Sequence, residues 1–357
     1  MTYENLVSAF AGKRVLVTGH SGFKGSWLVC ILHSLGAKII GVSDKKAGYL
    51  HDDFAIDVSP LLDKEIICDI ADGVRFRKAV ESIDFEYCFH LAAQALVGNS
   101  LKDPVRTIEV NVMGSANLLS YLSTKDFMSL VFVTSDKCYE NQEWTWGYRE
   151  TDVLGGKDPY SASKAASELI FSCFERSYFA SNAKFGRCSV RAGNVIGGGD
   201  WNQDRLVPDL IRSAIEREDV KVRSPAATRP WQHVMDPLGA YLLLAIKNAN
   251  ERDFSGSWNV GPASSNPISV LDLAKLLIKQ LKVDVNIRSQ DSSLFRNREA
   301  KLLQLNCDKL LALGWSPMFS SSETLRLTSD WYRMVVFEGG DPLDVTLTQV
   351  SENLKRL

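Results

Sequence analysis

Up to about residue 192 the chain alternates between two kinds of hydrophobic pattern. Continuous apolar runs occupy 13–18 (KRVLVT), 38–44 (KIIGVSD), 65–70 (EIICDI), 87–93 (YCFHLAA), 130–136 (LVFVTSD) and 185–191 (FGRCSVR). Without strict polar alternation, these predict strands covered on both faces. Helical patterns separate them at 22–36, closed by Gly36, and at 72–82, 104–124 and 160–180. Strand and helix in turn predict a parallel, doubly wound sheet with right-handed crossovers. Ligands of such a sheet lie outside the carboxyl ends of its strands.

Beyond residue 192 the alternation weakens. Segments containing Gly and Pro, such as NVIGGGDWNQDRLVPD and SPAATRPWQHV, accompany helical patterns near 207–217, 236–249 and 270–281 and a short strand near 283–288. The expected fold class is α/β. A Rossmann-type sheet domain over 1–192 would be followed by a smaller mixed α/β substrate-binding lobe over 193–357, with elements free to interleave across the boundary.

Composition narrows the function. At 357 residues, with 45% apolar and 24% charged side chains, the chain has the balance of a soluble protein with a sizeable core. A formal charge of −2, both signs interspersed, leaves no basic footprint for nucleic acid or an anionic membrane. No window approaches the ~18 apolar residues of a membrane span, and the N-terminus lacks a secretory pattern. Seven cysteines sit singly, with no CxxC pair and no Cys/His spacing for zinc. This predicts reduced thiols, no metal and a cytoplasmic location.

Candidate chemistry begins at the first strand-to-helix turn, VLVTGHSGFKGSWL, where Gly19, Gly22 and Gly25 form a G-x-x-G-x-x-G spacing. Glycines there permit a tight turn and close approach of backbone N–H groups to a pyrophosphate at a helix N-terminus. Asp44, ending the second apolar run, would accept hydrogen bonds from both ribose hydroxyls and repel a 2′-phosphate, which favours NAD over NADP. Asp69 and Ile70 would flank an adenine. Leu91, Ala92 and Ala93 would let the backbone approach the cofactor.

The stretch YSASK places Tyr160 and Lys164 at i and i+4, on one face of a helix. An ammonium near a phenol favours the phenolate and makes it a base closer to neutrality. One element earlier the apolar run ends in Ser135, Asp136 and Lys137. Hydroxyl, tyrosine and lysine around a nicotinamide are an apparatus for taking a hydride from a secondary alcohol. In the second lobe Arg205, Arg229, Arg296 and Arg298 carry planar donor forks suited to a diphosphate.

These motifs together resemble the extended short-chain dehydrogenase/reductase family, over nearly the whole chain. Within it the sequence is most similar to the nucleotide-sugar 4,6-dehydratases, and among these to the branch acting on CDP-glucose. The stretches that carry the resemblance are TGHSGFKGSWL, HLAAQALV, VTSDKCYE, YRETDVLGGKDPYSASKAASE, VRAGNVIGGGDW, RLVPD and RPWQHVMDPLGAYL. It implies NAD contacts from His20, Phe23 and Lys24 as well as the glycines, and from Tyr160 and Lys164. It also implies nucleotide-sugar contacts from Gln94, Asn194, Arg205, Arg229, His233 and Arg298. A loop GSWNVGP would contribute to the base pocket through Asn259.

The same resemblance gives the strand end a task. Tyr160 with Lys164 would deprotonate the C4 hydroxyl, and Ser135 would hold that oxygen. Lys137 would remove the C5 proton and Asp136 would protonate the departing C6 hydroxyl. Many relatives acting on dTDP-glucose carry Glu where Lys137 stands, so the division of labour within the pair is left open. A 4-epimerase or simple dehydrogenase is the alternative enzyme, and a non-catalytic NAD-binding protein the alternative of another class. Helices 104–124 and 160–180 resemble those of the family's four-helix dimer interface, which implies a homodimer.

Overall fold

A computed structural model describes residues 2–179, 185–222, 224–251, 254–262, 268–289 and 302–356. Its centre is a seven-stranded sheet. The strands are β1 (Arg14–Thr18), β2 (Lys38–Ser43), β3 (Lys64–Ile67), β4 (Tyr87–His90), β5 (Ser129–Val133), β6 (Gly186–Ala192) and β7 (Gly256–Val260). Their spatial order is β7-β6-β5-β4-β1-β2-β3, and every pairing is parallel.

Successive side chains of a strand point to opposite faces, and here both faces are covered. Val15, Val17, Val131 and Val133 enter one apolar core, while Leu16, Leu130 and Phe132 enter the other. The unbroken apolar runs are the sequence trace of this double burial.

The crossover helices form where the sequence provides starts. α1 (Tyr3–Phe10) precedes β1, and α2 (Phe23–Ser34) follows it from Gly22 without any side-chain cap. α3 (Gly73–Val80) is capped by Asp72, which accepts the Arg75 N–H at 3.0 Å. The expected helix over 104–124 is broken into Pro104–Ile108, a π turn at Glu109–Met113 and α4 (Gly114–Leu122). α5 (Pro159–Phe174) starts with a proline and with Asp158 accepting the Ser161 N–H at 3.0 Å.

Beyond β6 lie α6 (Leu206–Glu216), α7 (Met235–Asn250) and α8 (Val270–Leu281), joined by two- and three-residue strand pairs. The GSWNVGP segment departs from its reading as a loop. Residues 256–260 are β7, hydrogen-bonded beside β6, so the sheet draws on both sides of residue 192. Bounded by Gly256 and Gly261-Pro262, so short a run has the punctuation of a turn, yet Trp258 and Val260 are core residues.

Two C-terminal helices, α9 (Ser321–Tyr332) and α10 (Pro342–Asn353), have no counterpart among the expected elements. Their start signals are nevertheless present: a reciprocal Ser320–Glu323 capping box, and Asp341 before Pro342. They grip the loop after β6. The Tyr332 hydroxyl donates to the Asp200 carbonyl at 2.7 Å, and Trp331 donates to Thr346 at 2.8 Å.

At the start of α7, Asp236 is 1% exposed and accepts the Met318 N–H at 2.6 Å. Burial pushes its carboxyl up to about 7, against the pull of that hydrogen bond. Below about pH 4 folded and unfolded chains both hold this proton; between there and about 7 only the folded chain does, so stability falls as pH rises, then levels off. Asp236→Asn is therefore expected to gain stability relative to wild type, by on the order of 3 kcal/mol, between pH 4 and pH 8 in urea unfolding. An equal difference at both pH values would contradict this assignment.

Candidate active site

The carboxyl ends of the strands open into a cleft of about 1080 Å³, walled on the other side by the segments after β6. The glycine turn forms its floor. Gly19 has φ +76°, and a Cβ there would lie 2.6 Å from the Ala92 nitrogen; one on Gly25 would lie 2.0 Å from the Gly19 carbonyl oxygen. Neither position has room for a side chain. Gly22 caps α2 with backbone alone, so the positive end of that helix is left for an anion.

Asp44 follows β2 at the rim of the cleft, exposed, with Lys45 beside it. Asp69 accepts the Ala71 N–H at 2.9 Å and pairs with Arg106, a cleft residue outside the expected set. Ile70, Leu91, Ala92 and Ala93 line the cleft. There the apolar run of β4 leaves the sheet, with Leu91 N–H donating to the Thr18 carbonyl at 2.9 Å.

Phe23 and Lys24 also line the cleft. His20 does not: its ring is fully buried against Gly41 and meets Glu65 at 3.0 Å. An imidazole beside a residue without a Cβ fills the space the glycine leaves, so this side chain braces the sheet rather than facing a ligand.

The reactive groups converge. β5 ends at Val133, and Ser135 begins a single 3₁₀ turn, Asp136–Cys138. The Ser135 hydroxyl donates to Asp136 Oδ1 at 3.0 Å and accepts the Lys137 N–H at 3.2 Å. Tyr160 and Lys164, on the first turns of α5, are 8% and 6% exposed and line the same cleft as Ser135, Asp136 and Lys137.

Electrostatics differ from the simple tyrosine–lysine expectation. Burial pushes the Tyr160 phenol up to about 12, opposed by its hydrogen bond with Ser135 and by the Arg205 guanidinium. Burial draws Lys164 down to about 8, opposed by Glu168. Lys24 is likewise drawn down to about 8, by burial first and then by Arg205. In this cleft desolvation outweighs the attraction of one ammonium, and Arg205 is the cation acting on the phenol.

The expected substrate residues divide. Asn194, Arg229 and Arg205 line the cleft, and Arg205 is held by buried Asp200 at 2.9 Å. Gln94 lines it too, but its amide is committed to its own loop through Leu96 and Thr107. Arg296 and Arg298 lie outside the described residues.

His233 and Asn259 are corrections, since both are fully buried away from the cleft. His233 sits between Trp27 and Phe319, and burial draws its imidazole down to about 3. The Asn259 side chain accepts from the Tyr139 hydroxyl at 2.7 Å and donates to the carbonyls of Tyr148 and Asn306. Its hydrogen-bonding capacity is spent on closing β7 to two neighbouring segments.

A parallel sheet with a glycine-lined phosphate turn and a Ser-Tyr-Lys centre defines a dinucleotide-dependent enzyme acting on an alcohol. Residues 15–261 match the NAD dependent epimerase/dehydratase family, and the chain belongs to it. The chain is 39% identical over 354 residues to the CDP-glucose 4,6-dehydratase of Salmonella typhimurium, covering 96% of each. It is 27% identical over 335 residues to a probable dTDP-glucose 4,6-dehydratase of Sinorhizobium fredii, covering 89% of this chain and 92% of that one. Its fold superposes with a TM-score of 0.75 on the UDP-glucose 4-epimerase of Thermus thermophilus in complex with NAD, at 25% identity, over 90% of this chain and all of that one.

The site fits NAD on its own geometry: two glycines that exclude any Cβ, an uncapped helix end and an acid at the end of β2. Asp44→Asn is expected to weaken NAD binding roughly tenfold in calorimetry, about the loss of one hydrogen bond to a charged group. NADP binding should weaken less or improve. Unchanged NAD affinity and unchanged discrimination would remove Asp44 from the ribose site.

Proposed function

We propose that the protein is a CDP-glucose 4,6-dehydratase, a hydro-lyase giving CDP-4-keto-6-deoxyglucose. The observation that carries this reading is the gathering of an acid and a base, Asp136 and Lys137, at the same strand end as the oxidising set Ser135, Tyr160 and Lys164. Hydride exchange at one carbon needs only the latter three. Elimination of water across C5 and C6 needs two further proton-transfer groups.

NAD, held by the glycine turn and Asp44, would supply a hydride acceptor for C4 and a hydride source for C6. The chain's own groups manage the protons and the position of the sugar. Tyr160 takes the C4 hydroxyl proton. Its phenol is costly to ionise while buried, and the Ser135 hydrogen bond and Arg205 lower that cost. The C4 ketone makes the C5 proton acidic. Lys137 then takes that proton while Asp136 protonates the C6 hydroxyl as it leaves as water, and when hydride reaches C6 the Lys137 ammonium returns a proton to C5. Arg229 and Asn194, on the far wall, would hold the nucleotide diphosphate.

The test is to offer CDP-, UDP-, dTDP- and GDP-glucose in parallel and follow the product by NMR. The 4-keto-6-deoxy sugar is expected from CDP-glucose with no net NADH, and preference for another nucleotide would overturn the specificity. Asp136→Asn and Lys137→Ala should each lower elimination roughly 100-fold or more, the usual scale of general acid–base catalysis. Lys137→Ala should also suppress solvent deuterium exchange at C5. Full elimination in either variant would sink the role given to that residue. An epimerised nucleotide-hexose from the wild type would instead identify a 4-epimerase.

We infer further that the protein works in the cytoplasm as a homodimer. All seven cysteines are free thiols, and no helix among the described residues is long and apolar enough to cross a membrane. Exposed apolar side chains gather where α5 meets the 104–113 segment: Val105 is 65% exposed, Met113 52% and Leu169 60%. Side chains of that size on one surface suit a self-complementary contact. Light scattering should give twice the chain mass for wild type and a monomer for Val105→Asp/Leu169→Glu. A monomeric wild type would contradict the dimer.

A further inference from the structure

One buried carboxylate beside the reactive groups has no part in the chemistry above. Glu168 lies on α5 one turn beyond Lys164, which is itself one turn beyond Tyr160, so the three share a helix face. It is 2% exposed. Its Oε1 accepts the hydroxyl of Thr134, the residue between the end of β5 and Ser135. Its Oε2 accepts Ser189 and Arg191 of β6, each at 2.8 Å, and Ser257 of β7 at 3.3 Å. A single carboxylate therefore ties α5 to β6, β7 and the residue that follows β5. Arg191 extends the tie, donating to the Tyr139 hydroxyl at 2.8 Å and the Glu150 carbonyl at 3.0 Å.

The charges around Lys164 single out the same residue. Tyr160 and Glu168 face it from α5, Cys138 from the turn after β5, His90 from β4 and Lys24 from α2. Burial keeps His90 neutral and the Cys138 thiol protonated, and Lys24 is a cation or neutral. Glu168, paired with Arg191 at 2.8 Å, opposes the burial that would strip Lys164 of its proton, while Asp136 acts on Lys24.

We propose that Glu168 is a positioning residue acting through Lys164: it keeps that side chain an ammonium beside Tyr160 and fixes α5 against the strand end that carries Ser135. This rests on the reading of Ser135, Tyr160 and Lys164 as the oxidising set, with Tyr160 as the base at C4. The charge of Glu168 is the active feature. A purely structural brace would leave the protonation of Lys164 unmoved when the carboxylate is replaced by a neutral side chain of the same shape.

The test compares Glu168→Gln and Glu168→Asp with wild type. Competitive labelling with trace acetic anhydride, read by peptide mass spectrometry without substrate, gives the pH midpoint at which Lys164 becomes a free amine. The midpoint is expected to fall by roughly one pH unit in Glu168→Gln and to stay near wild type in Glu168→Asp. The alkaline limb of the kcat profile should move down with it, while KM changes by no more than about twofold.

Because Glu168→Gln leaves Arg191 as a buried unpaired charge, Glu168→Gln/Arg191→Met is the companion variant. With both charges gone the midpoint should fall less, in the same direction. An unmoved midpoint in a folded variant of either kind overturns the proposal. Failure of the wild type on every nucleotide-glucose would instead overturn the dehydratase reading, and the labelling would still decide the role of Glu168.

Discussion

Keeping charge out of water at the carboxyl edge of the sheet is the constraint on which the rest of this structure depends. Lys164, Glu168, Arg191 and Asp200 are all at most 6% exposed, and all lie at or just behind one cleft. An unpaired charge in such a place costs several kcal/mol. The protein meets this by pairing, Glu168 with Arg191 at 2.8 Å and Asp200 with Arg205 at 2.9 Å. The elements that bring those partners together are then fixed relative to one another: α5 to β5, β6 and β7, and the 198–205 loop to the C-terminal helix α9 through Tyr332. Burial still draws two amines down to about 8, Lys164 against the opposing charge of Glu168 and Lys24 against those of Asp136 and Asp200, where an amine exchanges protons near neutrality.

The same constraint explains which parts of the fold were legible in the sequence. Double-faced burial writes itself as unbroken apolar runs, so six of the seven strands stand out from the alternation alone. β7 escaped because its five residues sit between glycines, and its place beside β6 is decided by tertiary pairing. The C-terminal helices escaped for a different reason: their cores, Trp331 and Val350 among them, are diluted by polar positions such as Thr328 and Gln349 that are themselves buried and hydrogen-bonded. Amphipathic periodicity is a weak signal where buried positions are polar.

For the site, motif spacing located what lies at strand ends and helix starts. Gly19, Gly25, Asp44, Ser135, Asp136, Lys137, Tyr160 and Lys164 reach one cleft because a parallel sheet delivers every carboxyl end to the same edge. Residues placed by resemblance in the second lobe fared unevenly. His233 and Asn259 look like ligands in one dimension, being polar and beside glycine or aromatic residues, but their partners are side chains and carbonyls far along the chain. Arg106, Asp200 and Glu168 were invisible for the converse reason. An ordinary charged residue in a helix or loop gains meaning only when folding sets it against Asp69, Arg205 or Arg191.

In the proposed reaction one hydrogen is carried through every step: it leaves C4 and comes to rest on C6 of the same sugar. The most direct measurement is NMR of the product formed from CDP-glucose deuterated at C4. Deuterium on the C6 methyl group is the predicted result, delivered within a single molecule when labelled and unlabelled substrate are mixed. Label washed into solvent, or retained at C4 of an epimerised sugar, would contradict the account.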